Sequence, residues 1–433
     1  TGAVLPPAVP VGELLDAIDA TAVAGDEPGD EPDDGAGEGR ATARVLARHP
    51  LQPFHPRNFT PGAIAGRGPW SFDRAWLAGA RELERPRHEP TPFLAAPLPA
   101  RPSPAVELDA LVGFLGRPVR AFLRQRLGLP VAGDRDEVQD ALTIELDGLG
   151  RWQVGDRLLR ARLHGVSERD AILAEIARGT LPPGVLGKPV VDALSPIVRD
   201  ILRTAEARAP ALTGRDPGAL EPVDARVVLA GGRIVSGSVA GVAGDVLVAA
   251  TFSRVSPRQR LAAWARLLIL TAAWPQRALS AVTVGRASGP DDVRVASIPP
   301  LGATEAERQA VAIEQLTLLL DLYDRGMREP LPLACMSSFA YAEAALAGSD
   351  PVPAATAKWE SGWQGNGWRQ GEDAEAEHVL ALGGPVPFAQ LAAAAPRADE
   401  HGDGWPATET SRFGRLAVRL WRELLAREEI WSR

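Results

Sequence analysis

The chain has 433 residues, 45% of them hydrophobic, and a formal net charge of −8, enough apolar material for a sizeable core and enough length for two or three domains. The acidic balance excludes an indiscriminately basic DNA-coating protein but leaves room for local basic stripes. A single cysteine, Cys335, excludes an internal disulfide framework and any cysteine-only metal or iron–sulfur site, and points to a reducing cytoplasm. All but two of the 47 basic residues are arginines, the exceptions being Lys188 and Lys358. The longest strongly apolar run, Leu267 to Trp274, falls far short of a membrane span. No signal peptide is recognisable, and an opening at Thr1 without methionine is expected of part of something longer.

In chain order, Val11 to Ala20 predicts a short amphipathic helix, and Gly25 to Arg40, rich in Asp, Glu, Gly and Pro, predicts a mobile stretch. Ala41 to Arg48 alternates toward a strand, and the prolines of His49–Pro56 predict an extended path. Arg85 to Pro104 is expected to be a proline-rich surface linker, with the main domain boundary in it. Two adjoining helices follow, Pro104 to Leu115 and Pro118 to Leu127, then a helix from about Val190 to Arg208. Three strand-like runs, Arg226–Leu229, Arg233–Val242 and Val246–Phe252, joined by short turns, predict an antiparallel meander. Ser256 and Pro257 start a helix carrying Leu261, Trp264, Leu268 and Thr271, and a strand Ala281–Arg286 succeeds it. Thr304 and Glu307 form a capping box for a helix ending near Gly326. A last helix starts near Ser411, with Phe413, Leu416, Leu420 and Leu424 on one side and Arg412, Arg415, Arg419 and Arg422 on another.

Several segments, HPLQPFHPRNF (49–59), SPAVELDALVGFLGRPVRAFLRQRLGL (103–129), LDGLGRWQVGDRLL (146–159), GTLPPGVLG (179–187) and LYDRGMREPLPL (322–333), together resemble the RecC family, the gamma subunit of exodeoxyribonuclease V. The resemblance implies the C-terminal portion of such a subunit: residues 1–60 as the tail of a helicase-like region, 61–104 as a linker, and 105–433 as a C-terminal domain. It implies an α/β fold of the PD-(D/E)XK, restriction-endonuclease-like type, with helical additions and an inactive site. It further implies a noncatalytic DNA-guiding and scaffolding role in processing double-strand DNA ends for repair, beside RecB-like and RecD-like helicase subunits that use ATP and Mg²⁺. The DNA partners would be duplex ends and separated single strands.

Active nucleases of that fold need clustered carboxylates and a lysine in the meander to hold Mg²⁺ and the attacking water. Here Gly237–Gly241 and Val248–Ser253 carry neither, and between Arg226 and Gly289 the one carboxylate is Asp245, in a turn. No ATP loop is present, since Lys188 precedes Pro189 with no Ser or Thr for a metal. The six histidines lack ligand spacing, and no cofactor or metal is expected. What remains is binding. Arg117, Arg120 and Arg124 make one basic stripe, and Arg415 and Arg419 belong to a second; each is either a solvated face or a contact for phosphate or an acidic partner. Trp363 and Trp368, with Arg369, form a candidate stacking platform, the alternative being a loop anchored by tryptophans, Trp359 among them. The turns Gly231–Gly232 and Ala243–Asp245 are candidates for a strand-parting tip. An active exonuclease and a protein-only scaffold are the competing functions.

Overall fold

The structure, a computed structural model, describes residues 7–22, 41–64, 66–86, 92–100, 105–131, 145–209, 222–287, 293–364 and 367–432. The chain divides into two compact units, Thr1–Pro90 and Thr91–Arg433. The expected mobile stretch, Gly25–Arg40, lies outside the described residues. Among the described residues, no helix is long and apolar enough to cross a membrane.

The first unit contains α1 (Val9–Thr21), α2 (Thr42–Val45) and α3 (Arg74–Glu84), and of its described residues only Ala41, Asn58 and Ala80 are buried. Two expectations change here. Residues 42–45 are helical and not a strand, because the Asp19 carboxylate accepts hydrogen bonds from the backbone N–H and hydroxyl of Thr42, at 2.8 and 3.0 Å, and holds the first turn. The proline-rich His49–Pro56 bends back on itself, since the Asn58 amide donates to the carbonyls of Gln52 and Pro53, both at 3.1 Å, and Pro56 opens a 3₁₀ turn. Helix α3 lies within 61–104, the span that the resemblance assigns to a linker, and ends just before Arg85, where the proline-rich stretch begins.

The second unit is mixed α/β. It starts with β1 (Ala105–Glu107), α4 (Leu108–Gly116), α5 (Pro118–Ala121) and a π-helical turn, Phe122–Arg126. Then come α6 (Gly148–Leu163), α7 (Glu168–Arg178) and α8 (Lys188–Arg208). The sheet region contains β2 (Val223–Val228), β3 (Ile234–Val239), β4 (Val242–Ala243), β5 (Val246–Arg254), α9 (Pro257–Ala273), β6 (Ser280–Arg286) and β7 (Val293–Ile298). Next are α10 (Glu305–Gly326), α11 (Cys335–Leu346), α12 (Pro351–Trp359), β8 (Gly362–Gln364) and β9 (Gly367–Arg369). The last elements are α13 (Ala376–Leu382), α14 (Phe388–Ala392), α15 (Arg412–Arg427) and β10 (Glu429–Ser432).

The expected three-stranded meander is divided between two sheets. Strands β2 and β3 pair antiparallel and join β1, which runs parallel to β3. Strands β4 and β5 belong to a five-stranded sheet of order β10-β7-β6-β5-β4. The chain changes sheet at Ala240–Gly241. Gly241 has φ +84°, a β-carbon there would stand 2.3 Å from the Val248 carbonyl oxygen, and the Gly241 carbonyl accepts from the Val248 N–H at 2.8 Å. This close backbone approach ends β3 and leaves β4 only two residues long.

Helix α9 connects parallel strands β5 and β6, and its buried residues, with Leu261, Trp264, Leu268 and Leu270 among them, pack into the main core with α4, α10 and α15. The opposite face of the five-stranded sheet, with Val248, Phe252, Val282, Val284 and Val295, packs on Val154, Leu158, Val198 and Ile201 of α6 and α8. Covered on both faces, β6 has five consecutive buried residues, Ala281–Gly285. The capping boxes at Ser256/Gln259 and Thr304/Glu307 both form.

Gly241→Ala is expected to lower stability by about 2–5 kcal/mol, from positive φ and the close carbonyl together. Gly244→Ala, at φ +57° with open space around it, should cost only about 1–2 kcal/mol. Urea-unfolding midpoints measure the difference, and equal losses would show that the sheet switch does not depend on the close approach.

Candidate nucleic-acid interface

The three tryptophans of 358–373 have different fates. Trp359 is buried, its ring 5.0 Å from that of His378 and its Nε1–H donating to the Val386 carbonyl at 2.7 Å. Trp363 and Trp368 are 78% and 65% exposed and stand directly opposite one another on the antiparallel strands β8 and β9. Arg369 faces Gly362 in the same ladder. Cross-strand partners on one face of a ribbon lie close enough for their side chains to act together, so two indole faces are presented to solvent at one place. Gly365 and Asn366, between the strands, lie outside the described residues.

The ribbon is mounted rigidly at its base. Asp373 Oδ1 accepts from the Ser361 N–H (3.1 Å) and hydroxyl (2.6 Å), and Ser361 Oγ accepts in turn from the Gly371 N–H at 2.8 Å. Gly371 is obligatory, since a β-carbon there would lie 2.1 Å from the Trp359 carbonyl oxygen. Beside it, the buried Glu372 carboxylate accepts from the backbone N–H groups of Met336 and Ser337 (2.9 and 2.8 Å) and the Ser337 hydroxyl (2.7 Å). It thereby caps α11, whose own N-cap residue, Ala334, has no side-chain acceptor. Glu360 Oε1 accepts from the Phe388 N–H at 2.8 Å. Both ends of the ribbon are thus tied to the core through buried or half-buried carboxylates.

The two arginine stripes are placed otherwise than the sequence predicts. Arg117 lies 3.6 Å from both Glu375 and Glu377, and Arg120 lies 3.9 Å from Glu377, so both meet carboxylates of this same chain. Arg124 is exposed in the π-helical turn, whose wider spacing interrupts the helical repeat of the stripe. At the carboxyl end the correction is larger. Arg415 is buried, donating to the carbonyls of Glu400 (2.5 Å) and Glu409 (2.8 Å). Arg419 pairs with Asp321 and sits 3.9 Å over the Trp405 ring. Arg412 bridges Glu329 and Glu400 at 2.7 and 2.8 Å. Burial opposes the Arg412 charge, but hydrogen bonding to Glu329 and the charges of Glu329 and Glu400 outweigh it and raise its pKa above the ordinary arginine value. Arg415 and Arg419 hold the fold from inside; they do not line a basic surface. The acceptors of Arg412, Arg415 and Arg419, carboxylates and backbone carbonyls together, are 6 to 98 residues away in sequence, so helical periodicity alone carries no sign of them.

Asp245 lies in the β4–β5 turn, 2.9 Å from Arg277, and Gly231–Gly232 lie in a 3₁₀ turn between β2 and β3. Neither turn carries an aromatic side chain. Burial, reinforced by the Glu372 charge, pushes the Cys335 thiol far above its ordinary range, so it is poorly suited to thiolate chemistry. Among the described residues, no group of three His, Cys, Asp or Glu is placed to hold a metal ion.

Two outcomes follow from these contacts. Asp373→Ala removes the acceptor common to both Ser361 donors and is expected to cost about 1–3 kcal/mol; hydrogen exchange should quicken at 361–371, and exchange unchanged there would show that the ribbon is held elsewhere. Arg412→Met leaves Glu400, fully buried, with only the more distant Arg325 guanidinium at 4.0 Å and is expected to cost about 3–5 kcal/mol, read from the chemical-denaturation midpoint.

The RecC C-terminal domain family model matches residues 103–346. The chain is 39% identical over 429 residues to the RecBCD enzyme subunit RecC of Mycobacterium tuberculosis strain H37Rv, covering 99% of this chain and 35% of the relative. The Mycolicibacterium smegmatis subunit of the same name is 37% identical over 428 residues, covering 99% and 36%. That of Escherichia coli K12 is 31% identical over 140 residues, 32% of this chain and 12% of the relative. The chain thus spans about a third of the length of its mycobacterial relatives. With more than half of its residues matched by that model, the chain belongs to the RecC C-terminal domain family.

Proposed function

We propose that this chain is the DNA-guiding, noncatalytic C-terminal part of a RecC-type subunit, working beside RecB-like and RecD-like helicase subunits on duplex ends in the cytoplasm. The observation that carries it is the pair of exposed, cross-strand tryptophans, Trp363 and Trp368, on a ribbon fixed at its base. Unpaired bases stack on indole faces whatever their sequence, and a neighbouring arginine such as Arg369 suits the backbone phosphate. Arg117 and Arg120 join the segment that follows the ribbon through Glu375 and Glu377, and Arg124, exposed in the π-helical turn, is proposed as a further phosphate contact. That the relatives are named as subunits of the RecBCD enzyme supports the assembly.

The nuclease-like part of the fold is supported by the β5–α9–β6 crossover, with its two strands parallel. Catalysis is disfavoured by the chemistry of the region: its one carboxylate between Arg226 and Gly289, Asp245, is paired with Arg277 in a turn, and a phosphate-cleaving metal site needs several acids together. Residues 1–60 are assigned to the tail of a helicase-like region, and 61–104 to the passage into the C-terminal domain at 105–433.

Trp363→Ala and Trp368→Ala should each weaken single-stranded DNA binding by about tenfold, within the 1–3 kcal/mol range of base stacking, and shift unfolding by less than about 0.5 kcal/mol because both rings are exposed. Fluorescence anisotropy with a labelled oligothymidine measures the affinity. A protein-only scaffold would bind no DNA with salt dependence, and Mg²⁺-dependent cleavage of linear DNA by the purified chain would establish the nuclease alternative.

A further inference from the structure

A cavity of about 650 Å³ opens between the C-terminal end of α10, the π-helical turn and β1. Its walls include four arginines, Arg126, Arg233, Arg325 and Arg328, against three aspartates. Each aspartate already has a guanidinium: Asp324 is 2.5 Å from Arg233, Asp399 is 2.7 Å from Arg325, and Asp321 is 3.0 Å from Arg325 and also pairs with Arg419. Arg126 and Arg328 differ. Among the described residues, neither has a carboxylate within ion-pair distance. Instead Arg126 Nη2 donates to the Pro99 carbonyl at 2.9 Å and Arg328 Nε to the Leu98 carbonyl at 3.1 Å.

These two carbonyls belong to adjacent residues, so the two guanidiniums are brought to one side of the cavity. A guanidinium has five N–H donors in a rigid fork, and one carbonyl occupies only a fraction of them. Tyr323 lines the same cavity with its ring fixed edge-on to Phe114 at 5.3 Å and its hydroxyl donating to Gln125 at 2.8 Å. Two positive forks without a carboxylate partner among the described residues, next to a fixed aromatic ring, match a phosphate joined to a planar base. The volume falls within the span of small-ligand sites, about 300–1,000 Å³.

We propose that this cavity is a nucleotide-phosphate subsite, with Arg126 and Arg328 as the phosphate ligands. The inference deepens the nucleic-acid reading by naming a second contact, built from segments other than the tryptophan ribbon. A nucleotide within a strand and a free mononucleotide share this chemistry, and the experiment distinguishes them.

Arg126→Gln and Arg328→Gln keep an N–H donor for the carbonyls of residues 98 and 99 but remove the charge. The chain and both variants are titrated with labelled oligothymidine and with thymidine monophosphate, at several salt concentrations. In each variant, oligonucleotide affinity is expected to fall about tenfold with an unchanged thermal midpoint, and the salt slope to drop by about 0.7 for the lost single-strand contact. Saturable monophosphate binding that both variants weaken would identify a free-nucleotide site; oligonucleotide binding alone would identify a strand site. Variants that bind both probes like the parent chain overturn the proposal, and if Trp363→Ala still lowers affinity, the ribbon reading survives that failure. Monophosphate binding that depends on both arginines, in a chain that binds no oligonucleotide, would keep the subsite and overturn the nucleic-acid reading. Should Arg126→Gln not fold, the exposed Arg328→Gln decides alone.

Discussion

Glu400 has no solvent exposure, and Arg412 and Arg415 are buried with it under the last long helix. A buried carboxylate and a buried guanidinium are each costly to desolvate alone and tolerable only together, with their remaining hydrogen bonds satisfied. Arginine suits this task because its planar fork reaches two acceptors at once: Arg415 donates to the Glu400 and Glu409 carbonyls, and Arg412 to the Glu329 and Glu400 carboxylates. In a chain with only two lysines, this internal pairing decides which positive charges are left to meet another molecule. Arg412, Arg415 and Arg419 of α15 go to the core while Arg422 stays exposed, whereas Arg126 and Arg328, among the described residues, pair with carbonyls and no carboxylate.

Acidic residues of 372–377 act in two ways. Glu372 and Asp373 serve backbone donors, capping α11 and closing the base of the β8–β9 ribbon, while Glu375 and Glu377 face Arg117, Arg120 and Arg258. One short acidic run therefore connects the ribbon, the α11 N-terminus and the arginines of α5. A two-stranded ribbon alone is marginal in water. Tying its two ends to each other through Ser361 and Asp373, and to the starts of α11 and α14 through Glu372 and Glu360, holds two large apolar rings outward.

Elements specified by nearby residues were legible in the sequence. Ser256 with Gln259 and Thr304 with Glu307 start α9 and α10 where their capping boxes predict, and Leu261, Trp264 and Leu268 are all buried as their spacing requires. Features that depend on distant contacts were not. The division of the meander depends on one backbone approach between Gly241 and Val248, and β1 exists only through its pairing with β3, some 130 residues on. The partners of Arg412, Arg415 and Arg419 come from three other segments. The tryptophans are intermediate: composition marked all three, but nothing in it separates Trp359 from the other two. The usable signal was spacing, because Trp363 and Trp368 enclose four residues, which places them opposite one another across a two-residue connection.

The residues proposed to meet DNA and those that hold the fold use the same chemistry and differ in what surrounds them. An indole in contact with Val386 and His378 is core; an indole standing on a solvated ribbon is a surface for another ring. A guanidinium between Glu329 and Glu400 is neutralised; one held by a carbonyl keeps its charge for a phosphate. On this view the chain needs no reactive group to act on a nucleic acid, because stacking and phosphate contacts hold a strand in place without breaking bonds. In the proposed assembly the free energy for movement would come from the helicase subunits, and the contribution of this chain would be the fixed geometry against which they work.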